Sequence, residues 1–486
     1  MKGKLAVLAV AVGVLLAHHY WAFYGHFGFD DLYYAELAQR LLHGSWDPTD
    51  HYSYRIVPLT CWATSYAIFG IGDHASALPA FLATVALLSV LLYALRDRPT
   101  WQYALAVAFF FGMRWNLFYS DKLMPDVFVG LFSAVAWTAY VTQRTEGSTR
   151  GAALAAVSLF LAFNSKGTVI LLVPLFLWYF VLDVRNGRLR WWGRLLVVLL
   201  PLLAVYFTII WSLTGSPLSR FTAITANHYL NPCSYDVLPW PHLRERLTGG
   251  FLSLLTQAYL LPHLFIAAGA LIYYAVRRTR DRRAYFFPLT VVICLLSINF
   301  MSISLTSYNP ICLDPRHLLL FSPILAISSV LTLADLLRRS RMQPRGWSFY
   351  VPLTLLIVAL LTPAAAGARY DRSLEYERVK PALEDIIAAL PRPATVYGSQ
   401  VLVNYGRYYT AFADTDLTFR LLDELPPCTV DAAADTATFL VRNWYTDWHS
   451  GGVSTDVAGI TTARGVILEP TSLGNERVSV EQIACP

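Results

Sequence analysis

About eleven stretches of this chain are apolar for long enough to cross, or nearly cross, about 30 Å of hydrocarbon. They lie near residues 4–20, 76–95, 101–118, 126–143, 151–165, 168–184, 192–212, 251–276, 284–304, 317–337 and 347–368. Runs of this kind constrain a chain more than any motif, because only a helix pairs its backbone groups internally in lipid. The composition agrees. Of 486 residues, 56% are hydrophobic and 14% charged, where a soluble domain carries about 25% charged. Mean hydropathy is +0.46. A disordered chain, a disulfide-rich mini-scaffold and an ordinary cytosolic enzyme are excluded. The expected fold is a polytopic α-helical membrane protein.

Charge placement orients the runs. Alternate connections are the basic ones: Lys2/Lys4, Arg96/Arg98, Arg144/Arg150, Arg185/Arg188/Arg190/Arg194, Arg277/Arg278/Arg280/Arg282/Arg283 and Arg338/Arg339/Arg341/Arg345. Lys and Arg near span ends favour the cytoplasmic side, so the N-terminus is expected in the cytoplasm. Residues 1–368 hold 28 Lys+Arg against 16 Asp+Glu, and residues 369–486 hold 10 against 16. The two parts therefore face different solvents. The first is a transmembrane domain with outer loops at 21–75 and 213–250 and shorter ones near 116–125, 164–167 and 305–316. The second is a small extracytoplasmic α/β domain. The first apolar run reads as an uncleaved span, since His18, His19, Tyr20 and Trp21 follow Ala17 where a small-residue cleavage site would be needed. Interleaved basic and aromatic residues on a soluble face, the mark of a nucleic-acid binder, are not found.

In the tail, Val379–Leu390 and Gln400–Thr410 read as helices, and Thr395–Tyr397 and Thr436–Val441 as strands. Cys61 and Cys294 lie in or beside spans and read as buried thiols. Cys233 and Cys312 fall in two outer loops, Cys428 and Cys485 in the tail. Topology suggests one bridge in each place, although four cysteines allow three connectivities.

Charged residues at membrane depth are costly and default to functional candidates. Asp30 and Asp31 follow the first span. They suit either the start of an amphipathic helix through Leu42 or a carboxylate acting as general base on a hydroxyl. Asp121-Lys122-Leu123-Met124-Pro125-Asp126 lies between two spans. Pro125 and Asp126 suit a helix start, and the functional reading puts Asp126 and Lys122 at the mouth of one cavity. Arg55, Lys166 and Arg316 are cations on the same side. Headgroup snorkelling or an ion pair of Arg316 with Asp314 would account for them structurally. Lys166, flanked by apolar runs with no local acid, resists that reading and suits a phosphate oxygen. Tyr33, Tyr34, Tyr52 and Tyr54 could contact a sugar or sit at the interface. Trp191 and Trp192 read as an interfacial belt. His18, His19, His26, His43, His51 and His74 match no metal-ligand spacing and read as interfacial or core residues.

The ordered set resembles the GT-C glycosyltransferases, closest to the protein mannosyltransferase and lipid A aminoarabinose transferase branch. The match runs through Asp30-Asp31-x-Tyr-Tyr-Ala-Glu, Arg55-x-x-Pro58, Leu123-Met124-Pro125-Asp126, Asn164-Ser165-Lys166-Gly167 and Pro315-Arg316-His317-Leu318. It covers most of residues 15–330. Departures are Asp31 where the family has Glu, Arg55 where it has Lys, and a missing double proline, which leave the sugar open. The resemblance implies a GT-C-type membrane domain and inverting transfer of a hexose or pentose from a polyprenyl-phosphate sugar. The acceptor would be a glycan, lipid or protein at the outer face of a bacterial inner or plasma membrane. Asp30 would be the base, with Asp31 or Asp126 positioning the acceptor. Lys166, Arg55, Arg316 and Lys122 would hold the donor phosphate, and Tyr33, Tyr34 and Tyr54 would touch substrate. No cofactor is required by the pattern; some relatives use a divalent cation. The main rival is a transporter or flippase of polyprenyl-linked lipid, which more often shows related halves or broken helices; neither is evident from sequence.

Overall fold

The structure, a computed structural model, describes residues 2–339 and 376–486 except 24, 146, 227–232, 305–306, 414–415, 429–436 and 444–455. The first part is helical throughout. Helices α2 (Asp30–Leu42) and α3 (Ile56–Phe69) come between α1 (Lys2–Ala22) and α4 (Asp73–Ala94). Next come α5 (Thr100–Gly112), α6 (Arg114–Phe118), α7 (Asp126–Gln143), α8 (Thr149–Ser165), α9 (Val173–Arg185) and α10 (Arg190–Thr214). Then follow α11 (Ser219–Ala226), α12 (Trp240–Glu245), α13 (Phe251–Gln257), α14 (Leu261–Val276), α15 (Phe286–Phe300) and α16 (Ser322–Arg339).

Among the described residues, four helical stretches are each long and apolar enough to cross a membrane: α1, α4, Gly167–Arg185 and α10. The other expected runs are shorter or divided. Arg114–Asp121 and Asp126–Gln143 meet at 116°, and Trp240–Gln257 and Leu261–Val276 at 106°; counted as single spans, they raise the number to six. The first break falls in the loop expected near 116–125, whereas the second divides the run expected at 251–276 as one span, a correction of that expectation. The runs at 151–165, 284–304 and 317–337 appear as α8, α15 and α16. The run at 347–368 lies outside the described residues. On α10, Val197, Leu200, Val205, Ile209 and Leu213 stand exposed, a continuous apolar face that water would not tolerate and hydrocarbon would cover.

Some basic connections meet each other. Lys4 Nζ donates to the Leu95 carbonyl at 3.0 Å, and Arg339 pairs with Asp281 at 2.6 Å. Trp191 and Trp192 are not a surface belt. Trp191 is buried against the Tyr140 ring, and Trp192 Nε1 donates to Asp183 at 3.0 Å. A buried carboxylate needs such donors, and Tyr140 supplies another at 2.9 Å.

The tail carries α17 (Tyr376–Ala389), α18 (Gln400–Tyr409) and α19 (Val457–Arg464) around strands β1 (Ala394–Gly398), β2 (Leu417–Leu421), β3 (Ala437–Arg442), β4 (Ile467–Pro470) and β5 (Ser479–Ala484). The sheet order is β2-β1-β3-β5-β4. β1 runs parallel to β2 and β3, and β5 antiparallel to β3 and β4. α18 makes the crossover from β1 to β2, as parallel neighbours require. Disulfides join Cys233 to Cys312 and Cys428 to Cys485, the pairing that topology suggests. Cys294 is buried and Cys61 half-buried.

Two large apolar cores divide the chain. One lies among α4, α5, α7, α8 and α16. The other is shared: Tyr34 of α2, Trp62 of α3 and Phe128 of α7 belong to the same cluster as Leu383, Val401, Tyr405 and Phe419 of the tail. The helices α2 and α3 and the tail are thus packed into one body, and the charged cluster described next lies at the edge of that core.

Candidate active site

The loop before α2 holds two carboxylates with opposite surroundings. α2 begins at Asp30, but its N-cap is Phe29 and no side chain caps it. Asp31 instead folds back onto the preceding loop, accepting from the amide of Phe27 and from that of Phe29 at 2.8 Å. It is fully buried, with His26 Nδ1 4.0 Å away. Asp30 points the other way and keeps 31% of its side chain exposed. It accepts from Tyr52 Oη and from Arg316 Nη1, both at 3.0 Å.

Arg316 reaches Asp30 from the far end of the domain. Asp314 starts the 3-10 turn Pro315–Leu320, accepting from the Arg316 amide at 3.0 Å and pairing with its Nε at 2.8 Å. The guanidinium therefore bridges Asp314 and Asp30, as its forked donors allow. α7 holds this turn closely: a Cβ on Gly130 would fall 2.6 Å from the Leu319 carbonyl oxygen. His317 Nδ1 lies 2.9 Å from the Cys312 carbonyl, so the same turn is tied to the Cys233–Cys312 bridge.

Lys166 ends α8 in an extended conformation and is not free. Its Nζ donates to both oxygens of Asp126 at 2.8 and 2.9 Å, and both residues are buried. Such a pair offsets its desolvation only through close, doubled contact. Arg55 precedes α3 and stacks over the rings of Tyr52, at 4.4 Å, and Tyr34, at 5.0 Å. The fields of Asp30, Asp126, Arg316 and Arg220 all reach it. Asp30, Asp126, Arg55, Lys166 and Arg316 thus form one electrostatic cluster.

Burial works against the charge of Asp30, but Arg316, Arg55 and the Tyr52 hydroxyl outweigh it and hold its carboxyl below the usual range. Burial raises Asp31 to about 6 despite the amides of Phe27, Leu32 and Phe29. Burial also lowers Arg55 to about 10 against the pull of Asp30 and Asp126. For Arg316, burial is outweighed by Asp314, Asp126 and Asp30, which keep it firmly protonated. At neutral pH the half-exposed Asp30 is an ionised carboxylate beside Arg316 and Arg55, with the Lys166–Asp126 ion pair as the rest of the cluster.

Other expected members lie elsewhere. Lys122 does not share a cavity mouth with Asp126. It pairs with Asp121 at 3.1 Å and lies over the rings of Phe23 and Phe118, where His19 also reaches Asp121 at 3.1 Å. The bend between α6 and α7 separates the two. Tyr33 donates to Asp50 at 2.9 Å. Tyr34 and Tyr54 are fully buried, Tyr34 against Trp62 and Tyr54 donating to the Pro48 carbonyl at 2.8 Å, so neither offers a surface to a substrate. Tyr52 is the tyrosine that touches the acid. Arg220 joins the neighbourhood with no sequence signal beyond its charge, and His317, within the Pro315-Arg316-His317-Leu318 segment, joins it beside Asp126. Among the described residues, no group of three or more His, Cys, Asp and Glu could hold a metal ion. A cavity of about 430 Å³ opens beside Pro315, lined also by Tyr235, His242, Glu245 and Gln257.

No protein-family model matches the chain, and no curated protein matches it in sequence. Solved structures do. ArnT from Cupriavidus metallidurans in the apo state is 16% identical and superposes over 98% of this chain and 97% of its own with a TM-score of 0.55. The same protein bound to undecaprenyl phosphate gives 16% identity, the same coverage and a TM-score of 0.54. The apo oligosaccharyltransferase of Archaeoglobus fulgidus is 14% identical and covers 99% of this chain and 74% of its own at a TM-score of 0.54. Another structure of that oligosaccharyltransferase is a complex with Zn and sulfate. These are GT-C glycosyltransferases, and the chain has their fold.

Proposed function

From that shared fold we propose that the chain is an inverting glycosyltransferase. It takes a sugar from a polyprenyl-phosphate donor, at the outer face of the membrane, and passes it to a hydroxyl-bearing acceptor. The observation that carries this reading is Asp30: a half-exposed carboxylate, held ionised and oriented by Arg316 and Tyr52, beside Arg55 and the Lys166–Asp126 pair. In the proposed reaction the acceptor oxygen attacks the anomeric carbon while its proton passes to Asp30. The bond from that carbon to the phosphate oxygen breaks, and the polyprenyl phosphate leaves with the electron pair. Charge builds on the phosphate oxygens, which Arg316, Arg55 and Lys166 are suited to stabilise. For Lys166 this means sharing its ammonium between Asp126 and the phosphate. Asp126 would then set how strongly Lys166 holds the donor. Asp31, whose oxygens are taken by backbone amides, would support Asp30 and not contact the acceptor. The cavity beside Pro315 gives a headgroup room one residue from Arg316. The bound undecaprenyl phosphate of ArnT supports a polyprenyl donor here. In this reading the cargo is a hexose or pentose, and the basic connections lie on the cytoplasmic side.

The two bent helix pairs are the feature that favours the rival, a transporter of polyprenyl-linked lipid. The test is transfer in detergent from a panel of polyprenyl-phosphate sugars, with wild type and Asp30→Asn. Loss of transfer by about 10² to 10⁴-fold with donor binding retained is expected. Donors bound but consumed by neither protein would overturn the enzyme reading in favour of transport. Running the assay with and without a chelator separates catalysis by these side chains alone from catalysis that recruits a divalent cation.

A further inference from the structure

The loop between α1 and α2 is gripped from two sides, and the grips fall on the same peptide groups. Tyr405 Oη donates to the carbonyl of His26, and the amide on the other edge of that peptide, Phe27 N, donates to Asp31. Two residues on, Asn404 Nδ2 donates to the carbonyl of Gly28 at 2.8 Å, and the opposite amide, Phe29 N, donates to Asp31 at 2.8 Å. A trans peptide is rigid and planar, with its C=O and N–H pointing in opposite directions. Each of these two planes is thus fixed at both edges, by the tail on one side and by the carboxylate next to Asp30 on the other.

The packing shows that the contact is close. Gly28 sits at φ +86, and a Cβ there would lie 2.6 Å from Val401 Cγ1 and 2.7 Å from Tyr405 Cε2. Tyr405 is buried and Asn404 nearly so. The surrounding seam is also bonded: Tyr408 Oη meets Ser76 Oγ at 2.8 Å, and Lys380 pairs with Asp73.

We propose that the extracytoplasmic tail is a working part of the active site. Asn404 and Tyr405 of α18 are positioning residues that fix the Phe27 and Phe29 amides, through them Asp31, and so the direction in which Asp30 faces Arg316. Donation to a peptide carbonyl also polarises its N–H, so the same two bonds strengthen the amides that hold the Asp31 charge. This inference rests on the glycosyltransferase reading for its kinetic consequence and on geometry alone for its electrostatic one.

The experiment compares Tyr405→Phe, Asn404→Ala and Arg407→Gln with wild type. Arg407 lies on the same helix and seam but reaches the side chain of Glu36, at 3.5 Å, and no loop peptide. With a polyprenyl-phosphate sugar as donor, Tyr405→Phe and Asn404→Ala are each expected to lower kcat about tenfold, a modest misplacement, with donor KM changed less than twofold. Arg407→Gln should keep wild-type kcat. Wild-type kcat in the first two variants, or an equal loss in Arg407→Gln, overturns the proposal. If wild type itself transfers no sugar, the proposed function fails, and the Asp31 titration still decides the clamp. The groups facing Asp31 are His26 of its own loop, Asp30 beside it and Tyr66 of α3, with Asp73 of α4, Asp121 and Lys122 of the segment before α7 and Lys380 of the tail acting through His26. None is altered in these variants. Read from the pH dependence of the difference in melting midpoint between each protein and its Asp31→Asn counterpart, the Asp31 titration should move to higher pH in Tyr405→Phe and Asn404→Ala. An unmoved titration overturns the clamp.

Discussion

Asp30 and Asp31 are adjacent in sequence and chemically distinct once folded, because helix geometry turns them to different faces. Asp31 faces the buried side, where it shares space with His26, and the two respond to acid with opposite sign. His26 takes its proton in the folded chain near pH 4, lowered by burial from 6.5, so acid between those values favours the unfolded chain. Asp31 takes its proton near 6 when folded, raised by burial from 3.8, so acid over that interval favours the folded chain. In wild type the two effects oppose each other. Measured against wild type, the melting midpoint of Asp31→Asn in detergent should fall progressively as pH drops from about 6 towards 4. That of His26→Gln should rise over the same range. Curves of the same sign would show that the pair does not titrate in this way. The sequence marks both acids as candidates but carries no sign of this difference, since burial is decided by what packs against the loop.

The elements act through their close approaches. α7 lies on the turn that carries Arg316, and the approach is possible only because residue 130 has no side chain: an added Cβ would stand 2.6 Å from the backbone oxygen of Leu319. Backbone cannot swing aside as a side chain can. Gly130→Ala should therefore cost about 1–3 kcal/mol of stability, typical of overpacking. It should also reduce transfer about tenfold or more by shifting Arg316 away from Asp30. A thermal melt and a kinetic assay on one preparation would check both, and wild-type activity in Gly130→Ala would show that the turn is not held by α7. The bend between α6 and α7 has a similar consequence. Lys122 and Asp126 are four residues apart, yet the 116° bend sends Lys122 to Asp121 and Asp126 to Lys166. Their apolar surroundings are alike in sequence, and no periodicity crosses the break.

For the molecule as a whole, long-range ties hold the cluster. Asp30 and Arg316 are 286 residues apart and meet at 3.0 Å. Cys233–Cys312 joins the loop after α11 to the segment leading into Arg316, whereas Cys428–Cys485 lies within the tail and makes no such link. Replacing Cys233 and Cys312 together by Ser should lower transfer several-fold and lower the melting midpoint, consistent with about 2–4 kcal/mol for a native bridge. Replacing Cys428 and Cys485 should lower the midpoint while changing kcat little. Equal kinetic losses in the two variants would mean that the first bridge has no particular hold on Arg316.

The sequence by itself determined what can be read from local pattern. Apolar runs required helices that lipid could cover, the charge imbalance set the tail apart, a 3.6-residue pattern located α17, and local helix- and strand-like stretches located α18, β1 and β3. The ordered acids and cations pointed to the GT-C fold that the superposed structures share. The strands β2, β4 and β5 are of similar length to β1 and β3, but a charged residue, Arg420, Glu469 or Glu481, interrupts each short run and hides its β pattern. Only the tertiary structure decided which charges meet. It paired Lys166 with Asp126, turned Asp31 inward, moved Lys122 to another cluster, buried Tyr34 and Tyr54, and seated the tail on the loop before Asp30. Coulomb and hydrogen-bond energies fall off over a few ångströms, and a linear order of residues does not contain those distances.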